Sequence, residues 1–255
     1  MKIALSQLDI TWEAKKANHS RAEQFVQMAS HNRCDIIVFP EMFNTGFSMS
    51  VASIAEEEDG ETASVLSRMA KQYNINVIAG YVLKASDGKK GQNIAVAYDR
   101  NGDCLAKYIK LHPFSFVGEN QYYIAGENTI IFNIEGMAAS IFICYDLRFP
   151  EAFRRVAKYV QTIFVIANWP SERKEHWVAL LKARAIENQC FVIGVNRIGR
   201  DGNGIVYPGS SAIFGPSGNE MCSGSDNVEF LLCEINPQET LEVRARFPFL
   251  QDMRG

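Results

Sequence analysis

Short apolar runs rich in β-branched residues recur along the whole chain: KIALSQL at the amino end, then DIIVFP, INVIAGYVL, NIAVAYD, TIIFNI, ASIFIC, TIFVIAN, CFVIGVN, SSAIFGP and EFLLCEI. Most are continuous rather than alternating, which is the pattern of strands covered on both faces. Sheets built from them must be internal layers. Helical patterns supply the cover: residues 17–31; residues 62–73 with Val65, Leu66, Met69, Ala70 and Tyr73 on one face; a third beginning near Pro150; and a fourth from Ser171 carrying Trp177, Leu180, Leu181, Arg184 and Ala185. DRNGD, between NIAVAY and CLAKYIK, predicts a hairpin, because Asn101-Gly102 tolerates the positive φ values of a tight turn. Some strands are therefore antiparallel neighbours. RDGNGIVYPGSS and CSGSDN read as loops joining late strands. This many strands exceed what one doubly wound sheet holds comfortably, so the expected fold class is α/β, a four-layer α-β-β-α sandwich.

The 255 residues suit one large domain over 1–255, since no repeat, low-complexity tract or linker interrupts them. Apolar residues at 47% and charged residues at 22% exclude a disordered chain. A net charge of -3 supplies no basic field for a phosphate backbone, so nucleic acid is not an expected partner. MKIALSQLDITW is too polar for a signal peptide, and nowhere do about 18 consecutive apolar residues occur, as a membrane span requires. A cytoplasmic protein without membrane partners is expected. The six cysteines contain no CxxC pair, so neither a zinc site nor a disulfide framework is signalled and the thiols are expected to be free.

Three chemically capable residues stand where an apolar run gives way to a loop: Glu41 in DIIVFPEMF, Lys110 in LAKYIKLHPF and Cys144 in SIFICYDLRF. Adjacent strands would make them converge. Singly, each has an ordinary reading: a buried core thiol, a solvated loop carboxylate, and an edge lysine that discourages aggregation. Cys144 with His112 or His176 would be a thiol hydrolase of another kind, but no local signature supports it. His176 sits in a helical pattern beside Trp177, and His112 reads as structural. A glutamine-amidotransferase elbow would want glycines around the cysteine, where Ile143 and Asp146 stand. Asp146 and Arg148 are either a surface ion pair or groups that order the site.

Jointly, PEMFNTGF, KYIKLHPF and ICYDLRFPE, in that order, resemble the three signature segments of the nitrilase superfamily of carbon-nitrogen hydrolases. The likeness extends to ANWP at 167–170, RAIEN at 184–188 and YPGSSAIFGPSG near the end. It implies the α-β-β-α sandwich, a homodimer, and a catalytic triad transferring to Glu41, Lys110 and Cys144, with Glu119 in FVGENQYY matching a second site glutamate. A thiol of ordinary pKa, about 8.5, is only a few per cent thiolate at neutral pH and needs a base. The implied mechanism has Glu41 take that proton while Lys110 and the backbone N–H of Tyr145 hold the oxyanion. Ammonia leaves, and water attacks the thioester with Glu119 as helper. Thiol, carboxylate and ammonium complete this acyl transfer, so no metal or organic cofactor is expected.

PEMFNTGFSM and the tail VRARFPFLQDMR are most similar to the omega-amidase branch. That branch implies small-molecule amide substrates, the short dicarboxylic acid monoamides of 2-oxoglutaramate, 2-oxosuccinamate or succinamate type. Arg148 is the candidate to meet the far carboxylate, and Phe43, Phe47 and Trp169 are candidate apolar walls, although aromatics in strands and turns are more often core. Pro113 stands where leucine is expected, which bears on the loop leading to Glu119. Rival readings on the same triad are an N-carbamoyl amino acid or polyamine amidohydrolase, or a nitrilase; a catalytically inactive binding protein is the alternative outside enzymes.

Overall fold

The computed structural model describes residues 1–227 and 229–254. Strands β1 (Lys2–Gln7), β2 (Ile36–Val38), β3 (Asn76–Lys84), β4 (Gly91–Tyr98) and β5 (Cys104–Ile109) come first in the chain. They are followed by β6 (Phe132–Ile134), β7 (Met137–Ile143), β8 (Thr162–Ala167) and β9 (Phe191–Asn196). The last five are β10 (Ile198–Arg200), β11 (Val206–Pro208), β12 (Ala212–Phe214), β13 (Glu220–Ser223) and β14 (Glu229–Glu234). Two six-stranded sheets result, ordered β14-β1-β2-β3-β4-β5 and β13-β12-β9-β8-β7-β6, while β10 and β11 pair separately. Each sheet has a parallel centre, β1-β2-β3 in one and β7-β8-β9 in the other, extended by antiparallel strands.

The period-2 geometry of a strand explains the continuous apolar runs. Ile3, Leu5, Ile36, Val38 and Ile78 face the second sheet in one core. Ala4, Ile37, Val77 and Ala79 point the other way, onto helices α1 (Lys15–His31) and α3 (Glu61–Tyr73), which supply Val26, Leu66 and Met69 to a second core, while α2 (Val51–Ile54) packs in a small cluster with Met42, Val82 and Tyr123. After α4 (Glu119–Tyr122), helices α5 (Pro150–Arg154) and α6 (Lys174–Asn188) cover the outer face of the second sheet through Phe153, Trp177, Leu181 and Ala185. These are the four expected layers. A seventh helix, α7 (Gln238–Arg246), was not signalled by periodicity, and its buried residue is Thr240.

Three local expectations change. The β4–β5 connection spans Asp99 to Asp103 and only Gly102 takes a positive φ, +86°, so Asn101 does not share the turn's left-handed work. RDGNGIVYPGSS is not all loop, because Val206–Pro208 pairs with Ile198–Arg200. Cys222 and Ser223 of CSGSDN likewise belong to β13, paired with β12. All six cysteines are free thiols, and no helix among the described residues is long and apolar enough to cross a membrane.

Candidate active site

Glu41 is placed by a turn that folds back over β3. Beyond β2, the Phe39 N–H donates to the Ile78 carbonyl at 2.8 Å and the Phe43 N–H to the Gly80 carbonyl at 2.9 Å. The turn lies so close that a Cβ on Gly80 would sit 3.0 Å from Glu41 Cα and 3.1 Å from Met42 N. The carboxylate is fully buried and not a solvated loop residue. Its Oε1 accepts from Lys110 Nζ at 2.9 Å and from Asn93 Nδ2 at 2.7 Å; its Oε2 accepts from the Asn168 backbone N–H at 2.8 Å.

Lys110 follows β5 directly and is 1% exposed, which removes the edge-charge reading. Its ammonium bridges Glu41 and Glu119, reaching Glu119 Oε2 at 2.9 Å. Burial would depress its pKa, yet the two carboxylates overcome that and hold it well above the ordinary lysine value. Glu119 opens α4, and its carboxylate also accepts from Asn93 Nδ2 at 3.0 Å and from the Phe114 N–H. Burial raises the Glu119 pKa above the usual carboxylate range, against the pull of Lys110.

Cys144 ends β7 and begins a 3-10 turn (Cys144–Arg148) with φ at +46°, a conformation that costs a non-glycine residue on the order of 1–3 kcal/mol. Asp146 locks that turn. Its Oδ2 accepts from the Ile143 N–H at 3.0 Å and the Tyr108 hydroxyl at 2.7 Å, and its Oδ1 accepts from the His112 N–H at 2.9 Å and faces His112 Nδ1 at 2.8 Å. Asp146 therefore orders the site and is not the surface partner of Arg148. His112, stacked on Phe149 at 3.8 Å, serves Asp146, and His176 contacts Arg148 at 3.0 Å, so both histidines are engaged away from the thiol. The Cys144 thiol donates to the Asn168 carbonyl at 3.8 Å. Burial first, then the Glu41 charge, push its pKa well above the ordinary thiol value.

The thiol and the Lys110 ammonium open onto one cavity of about 350 Å³, with Tyr145, Arg148, Phe47 and Trp169 also on its wall. Phe43 does not line it. That ring is fully buried among Phe39 and His19, centroids 5.4 and 5.9 Å away, in the core under α1 and α3. Asn93 and Asn168 were not singled out from the sequence, although Asn168 lies in ANWP and Asn93 opens the run NIAVAYD. Arg173 and Tyr207, also on the cavity wall, carried no periodic signal.

The family model for carbon-nitrogen hydrolase matches residues 2–245. The chain belongs to the carbon-nitrogen hydrolase family. This carbon-nitrogen hydrolase is 34% identical to a 2-oxoglutaramate amidase of Bacillus subtilis (strain 168), covering 99% of this chain and 97% of that one. It is likewise 34% identical to the omega-amidase YafV of Escherichia coli (strain K12), over 99% of this chain and 96% of that one. Among solved structures, XC1258 from Xanthomonas campestris, a CN-hydrolase superfamily protein with an arsenic adduct in its active site, superposes with a TM-score of 0.94 at 29% identity, covering 100% of this chain and 97% of that one.

Proposed function

We propose that this carbon-nitrogen hydrolase is an omega-amidase, a cysteine-dependent amidohydrolase that converts the terminal amide of a short dicarboxylic acid monoamide to the acid and ammonia. The observation that carries it is that Lys110 and Cys144 line one cavity while Glu41, buried behind it, is hydrogen-bonded to Lys110, in a chain related over nearly its whole length to proteins named for that activity.

The thiol is held protonated, so attack and deprotonation go together: as Sγ bonds to the amide carbon, its proton passes to Glu41. The tetrahedral oxyanion is met by the Lys110 ammonium and the Tyr145 N–H; one preorganised donor of this kind is worth about 10²–10³ in rate. The C–N bond breaks as Glu41 returns the proton to nitrogen, giving ammonia and a thioester on Cys144. Water, losing a proton to Glu41, then attacks the thioester and restores the thiol. Glu119 supports this by fixing the far side of Lys110. Every proton and electron pair is accounted for by thiol, carboxylate and ammonium, so a chelator leaves the rate unchanged.

Arg148, with its guanidinium over the Trp169 ring at 4.9 Å, is the group assigned to the far carboxylate of the substrate. The working unit in this reading is a single domain over 1–255, supported by a family match that spans almost all of it, in a cytoplasmic homodimer as the family likeness suggests. The test is a substrate panel scored for both ammonia and carbon dioxide. Ammonia alone from 2-oxoglutaramate and succinamate, lost in Cys144→Ala, is the expected result. Carbon dioxide from carbamoyl substrates, or turnover that survives in Cys144→Ala, overturns the reading.

A further inference from the structure

We propose that Cys222 and Cys233 form an oxidation site, at which a peroxide joins the two thiols as a disulfide and so ties the edge strand of one sheet to the edge strand of the other. Neither residue lines the cavity of the candidate active site, and the inference stands apart from the amidase reading.

The strand register places the pair. β14 is the outer strand of the first sheet and β13 the outer strand of the second. Cys233 stands opposite Ile3 of β1, and Cys222 stands opposite Ile213 of β12. Directly opposed residues share one face of their sheet, and Ile3 and Ile213 both belong to the core between the sheets. Both thiols therefore turn inward. Cys233 is buried in that core, and part-buried Cys222 packs against it. The segment CSGSDNVEFLLC, the last crossing from the second sheet to the first, thus carries a cysteine on each strand.

The crossing is pinned on both sides. Gln7 of β1 donates from Nε2 to the Ser225 and Asn227 carbonyls at 2.7 and 2.8 Å, and its Oε1 accepts from the Ser211 N–H at 3.0 Å. The Gly224 N–H in turn donates to the Ser211 carbonyl at 2.7 Å, just ahead of β12. The spacing of the two cysteines is fixed by these bonds.

The thiols also differ as a stepwise oxidation requires. Cys222 donates its S–H to the Cys233 sulfur; that hydrogen bond, ahead of burial, raises the Cys222 pKa, and it lowers the Cys233 pKa below the ordinary 9.0. At Cys34 and Cys190 burial dominates instead and pushes the thiols up to about 11 and about 12. Cys233 is therefore the readier thiolate of the two, and part-exposed Cys222 gives a small oxidant its way in. The Cys233 sulfur attacks one oxygen of hydrogen peroxide, the O–O bond breaks, and a sulfenic acid and water result. The Cys222 sulfur then attacks the sulfenic sulfur, the S–O bond breaks, and the oxygen leaves as a second water with the Cys222 proton. Two electrons pass from the sulfurs to the peroxide, and a dithiol reductant returns them. The closed loop is short, and it fastens an edge strand that is otherwise free to open locally.

The experiment treats the full chain with hydrogen peroxide, blocks the remaining thiols with iodoacetamide and maps peptides without reduction. Cleavage after Glu229 separates Cys222 from Cys233 unless a disulfide holds the fragments together. The expected result is a linked pair that dithiothreitol releases, formed before Cys34 or Cys190 changes. The melting temperature rises by about 5–10 °C on oxidation and returns on reduction. Cys222→Ser, a change at a part-exposed position, melts with the reduced wild type and shows no rise; its Cys233 accumulates a sulfenic acid that dimedone traps. Peroxide that leaves both thiols open to iodoacetamide, or carries them singly to sulfinic acid, overturns the pairing. A linked pair with an unchanged or lowered melting temperature overturns the tie between the sheets, and dimedone labelling absent from Cys233 in Cys222→Ser overturns the order of the steps.

Discussion

Asn168 holds Glu41 from two directions: its backbone N–H donates to Oε2 at 2.8 Å, and its side-chain amide donates to the Glu41 main-chain carbonyl at 2.6 Å. Because the Asn168 carbonyl also accepts from the Cys144 thiol at 3.8 Å, one residue just beyond β8 holds both the proposed base and the proposed nucleophile. Asn168→Asp places a second anion against Glu41 and is expected to lower kcat by about 10²-fold, the scale of a small misplacement of reacting groups. Asn168→Ala keeps the backbone donor and falls less. Steady-state kinetics with the amide of choice decide it; an Asp variant at the wild-type rate would show that the clamp is not needed.

The protonated state of Cys144 has a measurable signature. Its pKa lies above the ordinary 9.0, raised by burial and by Glu41, so the thiolate fraction at neutral pH is small and grows with pH. Carboxymethylation of Cys144 by iodoacetamide, followed by mass spectrometry, is expected to accelerate through pH 9 without levelling off. Glu41→Gln removes one charge that raises the pKa, and the curve should move to lower pH. A plateau below about pH 8 in the wild type contradicts the assignment.

Gly80 is required by closeness rather than by φ. In Gly80→Ala the new Cβ meets Ile166 Cδ1 at 2.7 Å and the backbone of Glu41 and Met42 at 3.0 and 3.1 Å. Overpacking of this kind costs about 1–3 kcal/mol. Since the displaced backbone carries Glu41, the proposed base, kcat is expected to drop about 10²-fold as well. Denaturant unfolding and kinetics on the same sample separate the two effects, and an active, fully stable variant refutes the close fit.

His19 contributes a pH limb to stability. Its Nε2 lies 3.0 Å from the Thr62 hydroxyl, and burial lowers its pKa below the ordinary 6.5, opposed by Glu56 and Glu61 and assisted by Lys15. Between the lowered value and 6.5 the unfolded chain binds the additional proton, so stability is full above 6.5 and declines as pH falls below it. Melting temperature against pH is expected to be flatter in this range for His19→Gln than for the wild type. Parallel curves exclude the contribution.

The layered architecture was legible because continuous apolar runs demand two covered faces. Glu41, Lys110 and Cys144 each have an ordinary reading alone, and they stood out together only through the likeness of their three segments to the nitrilase superfamily. Phe43 takes the core alternative, because the turn after Glu41, with Met42 at φ +45°, carries its ring in among Phe39 and His19 and away from the cavity. Asn93 was invisible because, next to Gln92 at the start of the run NIAVAYD, it looks like the polar edge of a strand, and only the folded sheet brings it to two carboxylates. Strands β10, β11 and β13, of three or four residues, are set by tertiary pairing and leave no periodic trace.

Strand β14 completes the sheet that β1 begins, and the Met1 ammonium donates to the Ile235 carbonyl across 234 positions of sequence. During synthesis β1 therefore keeps an open hydrogen-bonding edge until β14, far along the chain, has emerged. Closure at such range is slow, and an open edge invites pairing with neighbouring chains. Clipping the final strand should for this reason show first as inclusion bodies in the producing cell, well before any change in the chemistry at the thiol is noticed.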